Sequence, residues 1–293
     1  MEMTMEDTET ILLLKYFGIF RHPLKFEEIY KFSSKEVTVE LLQSQLNEME
    51  LQGVIKKIDE FYLYGGDEGF ISKRLAGEAK AAELIPKARK AGKLISYFPF
   101  VKFVGISGSL SKNYADEKTD FDFFIVTANN TLWICRTILH LFKKLSFLVG
   151  KQHSFCMNYF IDENHTEIEE QNIFTRIELS TLIPLNNEAL YYLLLFRNEK
   201  NLPNINHILP QYEMLKGFMA EEHRHYKEKN KWLKPFNIFF MRLTDSKWKR
   251  KWEKKGYPME DYSLAFKTTP FVSKNHPKNY QKNILNQLQN NQH

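Results

Sequence analysis

The chain has 293 residues, 43% hydrophobic and 26% charged, which excludes a disordered or fibrous polypeptide and allows two or three domains. Its two cysteines, Cys135 and Cys156, cannot build a disulfide framework and lack metal-site spacing, so buried reduced thiols in a cytoplasmic protein are expected. The best apolar stretch, 132–149, is broken by Arg136, Lys143 and Lys144, and the acidic N-terminus does not read as a signal peptide; no membrane span is expected. The net charge of +5 is unevenly spread. Residues 223–293 carry 16 Lys+Arg against 5 Asp+Glu, a net +11, while residues 1–222 are net −6. A basic end of this kind suits either a polyanionic partner or a solvated helix face.

In chain order, an apolar stripe through Ile11, Leu14 and Phe17 predicts a first helix that stops at His22-Pro23. A short helix is expected over 26–32. A third, capped by Thr38, carries Leu42, Leu46 and Met49 at helical spacing and ends at Gly53. Val54-Ile55 and residues 61–64 then flank a turn at 57–60, giving a hairpin. This order of helices and wing resembles a winged-helix domain, here residues 1–66. Its third helix, with Glu40, Glu48 and Glu50 and no Lys or Arg, is poorly charged for a DNA groove, so specific DNA binding is not expected and a packing or protein-contact role is.

Residues 67–98 read as a connecting region, with a helix over 73–97 that Pro86 is expected to kink. The next unit, 99–185, is an α/β pattern: a strand from Val101, a second from Phe121 to Val126, a helix from Thr131 to Leu148, a third strand from Phe155 to Ile161 and a helix over 171–183. Residues 186–293 read as helical and basic to the end, with a long basic helical stretch over 223–255 and an Asn/Gln-rich tail expected to fray. The fold class is α+β, a mixed sheet flanked by helices.

The chemistry concentrates in VKFVGISGSLSKNYADEKTDFDFFIVT, residues 101–127. A Gly108-Ser109 turn after a strand presents N–H groups and a hydroxyl suited to phosphate oxygens. In an extended strand, Asp120 and Asp122 project from one face. Paired carboxylates repel each other, and a divalent cation between them relieves that repulsion. The plain alternative is a tight turn followed by a strand with a capping aspartate pair.

An apolar strand, Gly-Ser, an interval of ten residues and Asp-x-Asp in the next strand resemble the signature of the DNA polymerase β-like nucleotidyltransferases. The resemblance implies that Gly108 and Ser109 grip the phosphates of a nucleoside triphosphate, with Lys112 reaching one of them. It also implies that Asp120 and Asp122 hold two magnesium ions, and that a third carboxylate follows one strand later. The aligned position is Asn158, which can ligate a metal through its carbonyl oxygen but cannot act as a general base. Asp162 lies two positions further along the same strand face, roughly 13 Å away by strand rise. Glu178, in the next helix, is either a substitute or a surface ion pair. The wider arrangement, including FCMNYFI and VSKNHPKNYQ, resembles uncharacterised bacterial nucleotidyltransferase-domain proteins. The activity implied is transfer of a nucleoside monophosphate from an NTP, ATP among them, to an acceptor hydroxyl with release of pyrophosphate. The acceptor class (small molecule, protein, sugar or RNA end) stays open. The alternative is a catalytically weak or inactive nucleotide-binding regulator on the same fold.

Near the C-terminus, Trp232, Trp248 and Trp252 interleave with lysines and arginines. They suit base stacking, but at helical spacing the core assignment is preferred for Trp248 and Trp252. His276, in a turn-like segment, could fold back over the site. His223 and His225 make a weak zinc pair.

Overall fold

The computed structural model describes residues 5–33, 37–146, 155–202, 205–224 and 229–290. His225 and the last residues of the Asn/Gln-rich tail lie outside them.

Helix α1 (Met5–Ile19) leads into β1 (Leu24–Lys25), α2 (Phe26–Phe32), α3 (Val39–Leu51), β2 (Lys56–Ile58) and β3 (Phe61–Leu63). The three short strands form one antiparallel sheet in the order β1-β3-β2. Thr38 caps α3 as expected, its hydroxyl accepting from the Leu41 N–H at 3.2 Å. The hairpin differs from expectation. Lys57 and Ile58 belong to β2, and the turn shrinks to Asp59-Glu60 because Asp59 adopts φ +52°, a conformation that Asp tolerates. Helix α1 also buries more than one stripe: Leu13 and Tyr16 are as enclosed as Leu14 and Phe17.

Helix α4 (Glu68–Ser96) begins five residues earlier than predicted, since the Asp67 carboxylate accepts from the Gly69 N–H and starts it there, and it runs on past Pro86. Then come β4 (Val101–Ser107), α5 (Gly108–Ser111), β5 (Asp122–Thr127), α6 (Leu132–Ser146), β6 (Cys156–Asp162), α7 (Ile173–Thr181) and β7 (Ile183–Pro184). Strands β4 and β5 pair antiparallel, while β5 and β6 are parallel and joined through α6, a crossover too long for a hairpin. Residues Phe123 to Thr127 of β5 are all buried, as befits a central strand covered on both faces.

The C-terminal region departs from the all-helical expectation. After α8 (Glu188–Arg197), α9 (Ile205–Ile208), α10 (Tyr212–Arg224), α11 (Lys234–Lys254) and α12 (Tyr262–Ala265), the chain adds β8 (Val272–Lys274) before α13 (Tyr280–Asn290). Strand β8 pairs antiparallel with β6, so the sheet order is β7-β4-β5-β6-β8 and the sheet is mixed. Three residues are too few to show a strand period in sequence; hydrogen bonding to β6 defines them. The basic stretch 223–255 is likewise not one helix. Helix α10 ends at Arg224 and α11 starts at Lys234, with Pro235 in its first turn, where a missing N–H costs least.

Ile284 and Leu288 of α13 pack into the same core as Leu14, Phe17, Leu42 and Leu46. The two ends of the chain therefore share one core. Trp248 and Trp252 are half-buried against Phe266, as the core assignment expects, and Trp248 also stacks under the buried Arg136 guanidinium, 4.5 Å from its ring centroid. The fold is α+β, and among the described residues no helix is long and apolar enough to cross a membrane.

Candidate functional site

Strand β4 ends where residue 108 turns at φ +70°, a conformation that favours glycine. The turn opens the four-residue helix α5, which carries Ser109 and leads to Lys112. Strand β5 lies beside it in antiparallel register, with Ser107 opposite Asp122, so the Gly-Ser turn and the second aspartate meet at one sheet end. They meet closely. A β-carbon on residue 108 would lie 2.6 Å from the Asp122 Oδ2.

These residues form the floor of a cavity of about 680 Å³, with Asn158 beside Asp122. The walls come from distant parts of the chain: Tyr16 of α1, His22, Glu178 of α7, His276 and Tyr280 of α13. Asp122, Gly108, Ser109, Lys112 and Asn158, all singled out in the sequence, are brought together. Asp120 is not in β5, which begins at Asp122, and it lies outside the cavity wall, though its charge still acts on Asp122.

Burial pushes the Asp122 carboxyl up to about 6; a hydrogen bond from the Cys156 thiol works against this, and the nearby Glu178 and Asp120 charges add to it. Cys156 stands directly across from Asp122 in the β5–β6 pair, and burial and the Asp122 charge hold its thiol protonated, at about 12. The ladder shifts register between Asp122 and Phe124, which leaves Asn158 at the irregularity. Asn158 donates from Nδ2 to Asp122 Oδ1 at 3.4 Å and to Cys156 Sγ at 3.0 Å. The amide thus faces the carboxylate with its nitrogen.

Lys112 is tied down within the protein. Its ammonium donates to Glu178 Oε1 at 2.7 Å and to the Gly108 carbonyl at 3.0 Å, and Glu178 Oε2 accepts from the Gly108 N–H at 3.3 Å. Glu178 therefore clasps the turn and belongs to the site, not to an outlying surface. Asp162 does not belong. It is fully buried at the far end of β6, where its carboxylate accepts from the Asn130 and Asn164 N–H groups at 2.8 Å each and from the Asn129 side chain at 3.1 Å. Its work is to hold the loop after β5.

His276 lines the cavity, because β8 carries the preceding residues back along β6 and the Asn275 N–H donates to the Asn158 carbonyl at 2.9 Å. Burial and the Lys274 charge lower its pKa to about 4. His22, read from sequence only as a turn residue, is a buried wall residue whose pKa falls to about 2 through burial and the Arg74, Lys112 and Lys73 charges. The walls that sequence reasoning missed come from α1 and α13. The signal for α1 was present in ILLLKYFGIF, too continuously apolar for a helix covered on one face alone.

Whether these residues suit a divalent cation is a question of donors. Among the described residues, no group of three His, Cys, Asp or Glu side chains is arranged to hold a metal. Asp122 and Asp120 nevertheless form a pair in which one carboxyl is pushed up partly by the other, and a cation relieves that crowding. Of these two, Asp122 alone lines the cavity, so a cation held there would take most of its oxygen shell from phosphate and water. Compared with protein-family models, with curated proteins and with solved structures, the chain matches none.

Proposed function

We propose that this chain is a magnesium-dependent nucleotidyltransferase of the polymerase β-like kind, transferring a nucleoside monophosphate from an NTP to an acceptor hydroxyl with release of pyrophosphate. The observation that carries the proposal is the packing of the Gly108 turn against Asp122 on adjacent antiparallel strands, at the floor of a cavity of about 680 Å³. A β-carbon-free turn lets phosphate oxygens approach the backbone and brings them beside the carboxylate. Asp120 and Asp122 would hold the magnesium, which supplies charge neutralisation to the phosphates and to the leaving pyrophosphate. Gly108 and Ser109 orient the triphosphate. Lys112 reaches it on exchanging Glu178 for a phosphate oxygen, a swap of one anionic partner for another. On this proposal the protein works in the cytoplasm, and residues 1–66 act as a winged-helix-like module for contacts other than specific DNA binding.

Asn158 favours a second reading. It occupies the strand position of the third carboxylate and offers Asp122 an N–H, so the site has no evident base there for the acceptor hydroxyl. On this reading the fold binds nucleotide and reports it without turnover.

Calorimetric titration of each NTP into the chain with magnesium, with EDTA, and with the Asp120→Ala/Asp122→Ala variant tests the site. Binding that requires both the metal and the aspartates supports both readings, and no binding to any NTP sinks both. Pyrophosphate release across acceptor classes separates them: the transferase reading expects release that Asp122→Ala abolishes in a folded protein, and the regulator reading expects none.

A further inference from the structure

The outer face of α11 lies apart from the cavity, which none of its residues lines. Its orientation is fixed from within. The Asn237 side chain is buried, accepts from the Trp133 N–H at 2.7 Å and donates to the Pro270 carbonyl at 3.1 Å. Phe240, Met241 and Trp248 on the same side pack into the core of the mixed sheet. The helix therefore cannot roll to bury its other side.

That other side is unusual. Phe236, Phe239 and Leu243 follow one another at helical spacing and are 56%, 59% and 40% exposed, and Trp232, one turn before them, is 73% exposed. The same line continues through Lys247, Arg250 and Lys254, all exposed. Between 231 and 255 there are nine Lys+Arg and two Asp+Glu, and one of those acids, Asp245, is paired with Lys249 at 2.9 Å. Aligned exposed aromatics on a rigidly docked helix are costly in water and mark a contact surface.

We propose that this face binds the surface of an anionic phospholipid bilayer, with Phe236, Phe239, Leu243 and Trp232 entering the interface and Lys247, Arg250 and Lys254 meeting the headgroups. Charge complementarity selects this occupant: seven net positive charges over 231–255 suit an anionic leaflet. The apolar half selects it over a nucleic acid. Leu243 cannot stack on a base, and the residues stand on a convex helix rather than in a groove that tracks a strand. At 21 residues, α11 is roughly 30 Å long and can lie along the bilayer plane.

The test uses the full chain with sedimented vesicles of neutral phosphatidylcholine and of phosphatidylcholine with 30% phosphatidylglycerol. Binding is expected to the anionic vesicles. It should weaken about tenfold or more in Phe236→Ser/Phe239→Ser, whose exposed positions leave the thermal melt unchanged. Lys247→Glu/Arg250→Glu should abolish the preference for anionic lipid, and the tryptophan emission should shift to the blue on binding in the wild-type chain but much less in Trp232→Phe. No partition into anionic vesicles overturns the proposal, as does partition that both double variants retain. It is equally overturned if the wild-type chain ignores vesicles and instead binds single-stranded RNA, or self-associates, through these same residues.

Discussion

The Asp122 carboxylate occupies the space that a side chain on residue 108 would need: Oδ2 lies 2.6 Å from an ideal β-carbon there, and the Asp122 Cβ lies 3.2 Å away. Gly108→Ala must therefore push Asp122 aside and hold φ near +70° with a β-carbon present. Strain at such a position costs about 1–3 kcal/mol. A lower denaturant midpoint with an unchanged slope, together with loss of magnesium-dependent nucleotide binding, is the expected outcome. A variant as stable as the parent would show that the turn relaxes freely.

Asp122 should make the protein more stable in mild acid than its other carboxylates would. Its pKa is raised from 3.8 to about 6, so its favourable contribution is complete below 3.8 and is lost as pH rises through 6. The ionised group then costs about 2–3 kcal/mol at neutral pH relative to an unburied carboxyl. Asp122→Asn removes that cost. Thermal melts at pH 7.5 should show the variant more stable than the parent, with the difference vanishing near pH 4. Magnesium with NTP should raise the melting temperature of the parent only.

The two cavity histidines act with the opposite sign. His22 and His276 have pKa values lowered from 6.5 to about 2 and about 4, so each stabilises the fold fully above 6.5 and loses that contribution as pH falls. Each group adds a slope of at most about 1.4 kcal/mol per pH unit below 6.5. For His276 the slope ends near pH 4; for His22 it continues further. In chemical denaturation from pH 6.5 to 4, His22→Gln should flatten the acid decline even though it lowers stability at pH 7. A parallel decline in parent and variant would mean that His22 protonates without resistance.

Asp162 is a structural carboxylate. Asp162→Ala strands the N–H groups of Asn130 and Asn164, both of which donate to it at 2.8 Å, along with the Asn129 amide. Leaving buried donors unpaired costs on the order of 3 kcal/mol for this set. Loss of stability is expected with nucleotide binding retained at temperatures where the variant stays folded. Loss of binding in a folded variant would return Asp162 to the site.

Much of this arrangement is visible in the residues alone, and the boundary has a physical cause. The strand from Val101, the Gly108-Ser109 turn and the strand carrying Asp122 follow from local rules of period, turn chemistry and alternation, and these need only neighbours in sequence. That is why Gly108, Ser109, Lys112, Asp122 and Asn158 could be picked out together. Asp120 shows the limit: alternation set it beside Asp122, but the strand begins only at Asp122, where the pairing with Ser107 starts. The fate of Glu178 and Asp162 was open in sequence because both are carboxylates near the same strand. Packing of α7 against the Gly108 turn brought one in, and the N–H groups of Asn130 and Asn164 claimed the other. Strand β8, His276 and the closing of the N-terminal core by Ile284 and Leu288 depend on contacts across more than a hundred residues. A three-residue strand or a single histidine has no periodicity to announce it, so only burial and hydrogen bonding in the folded chain could assign those parts.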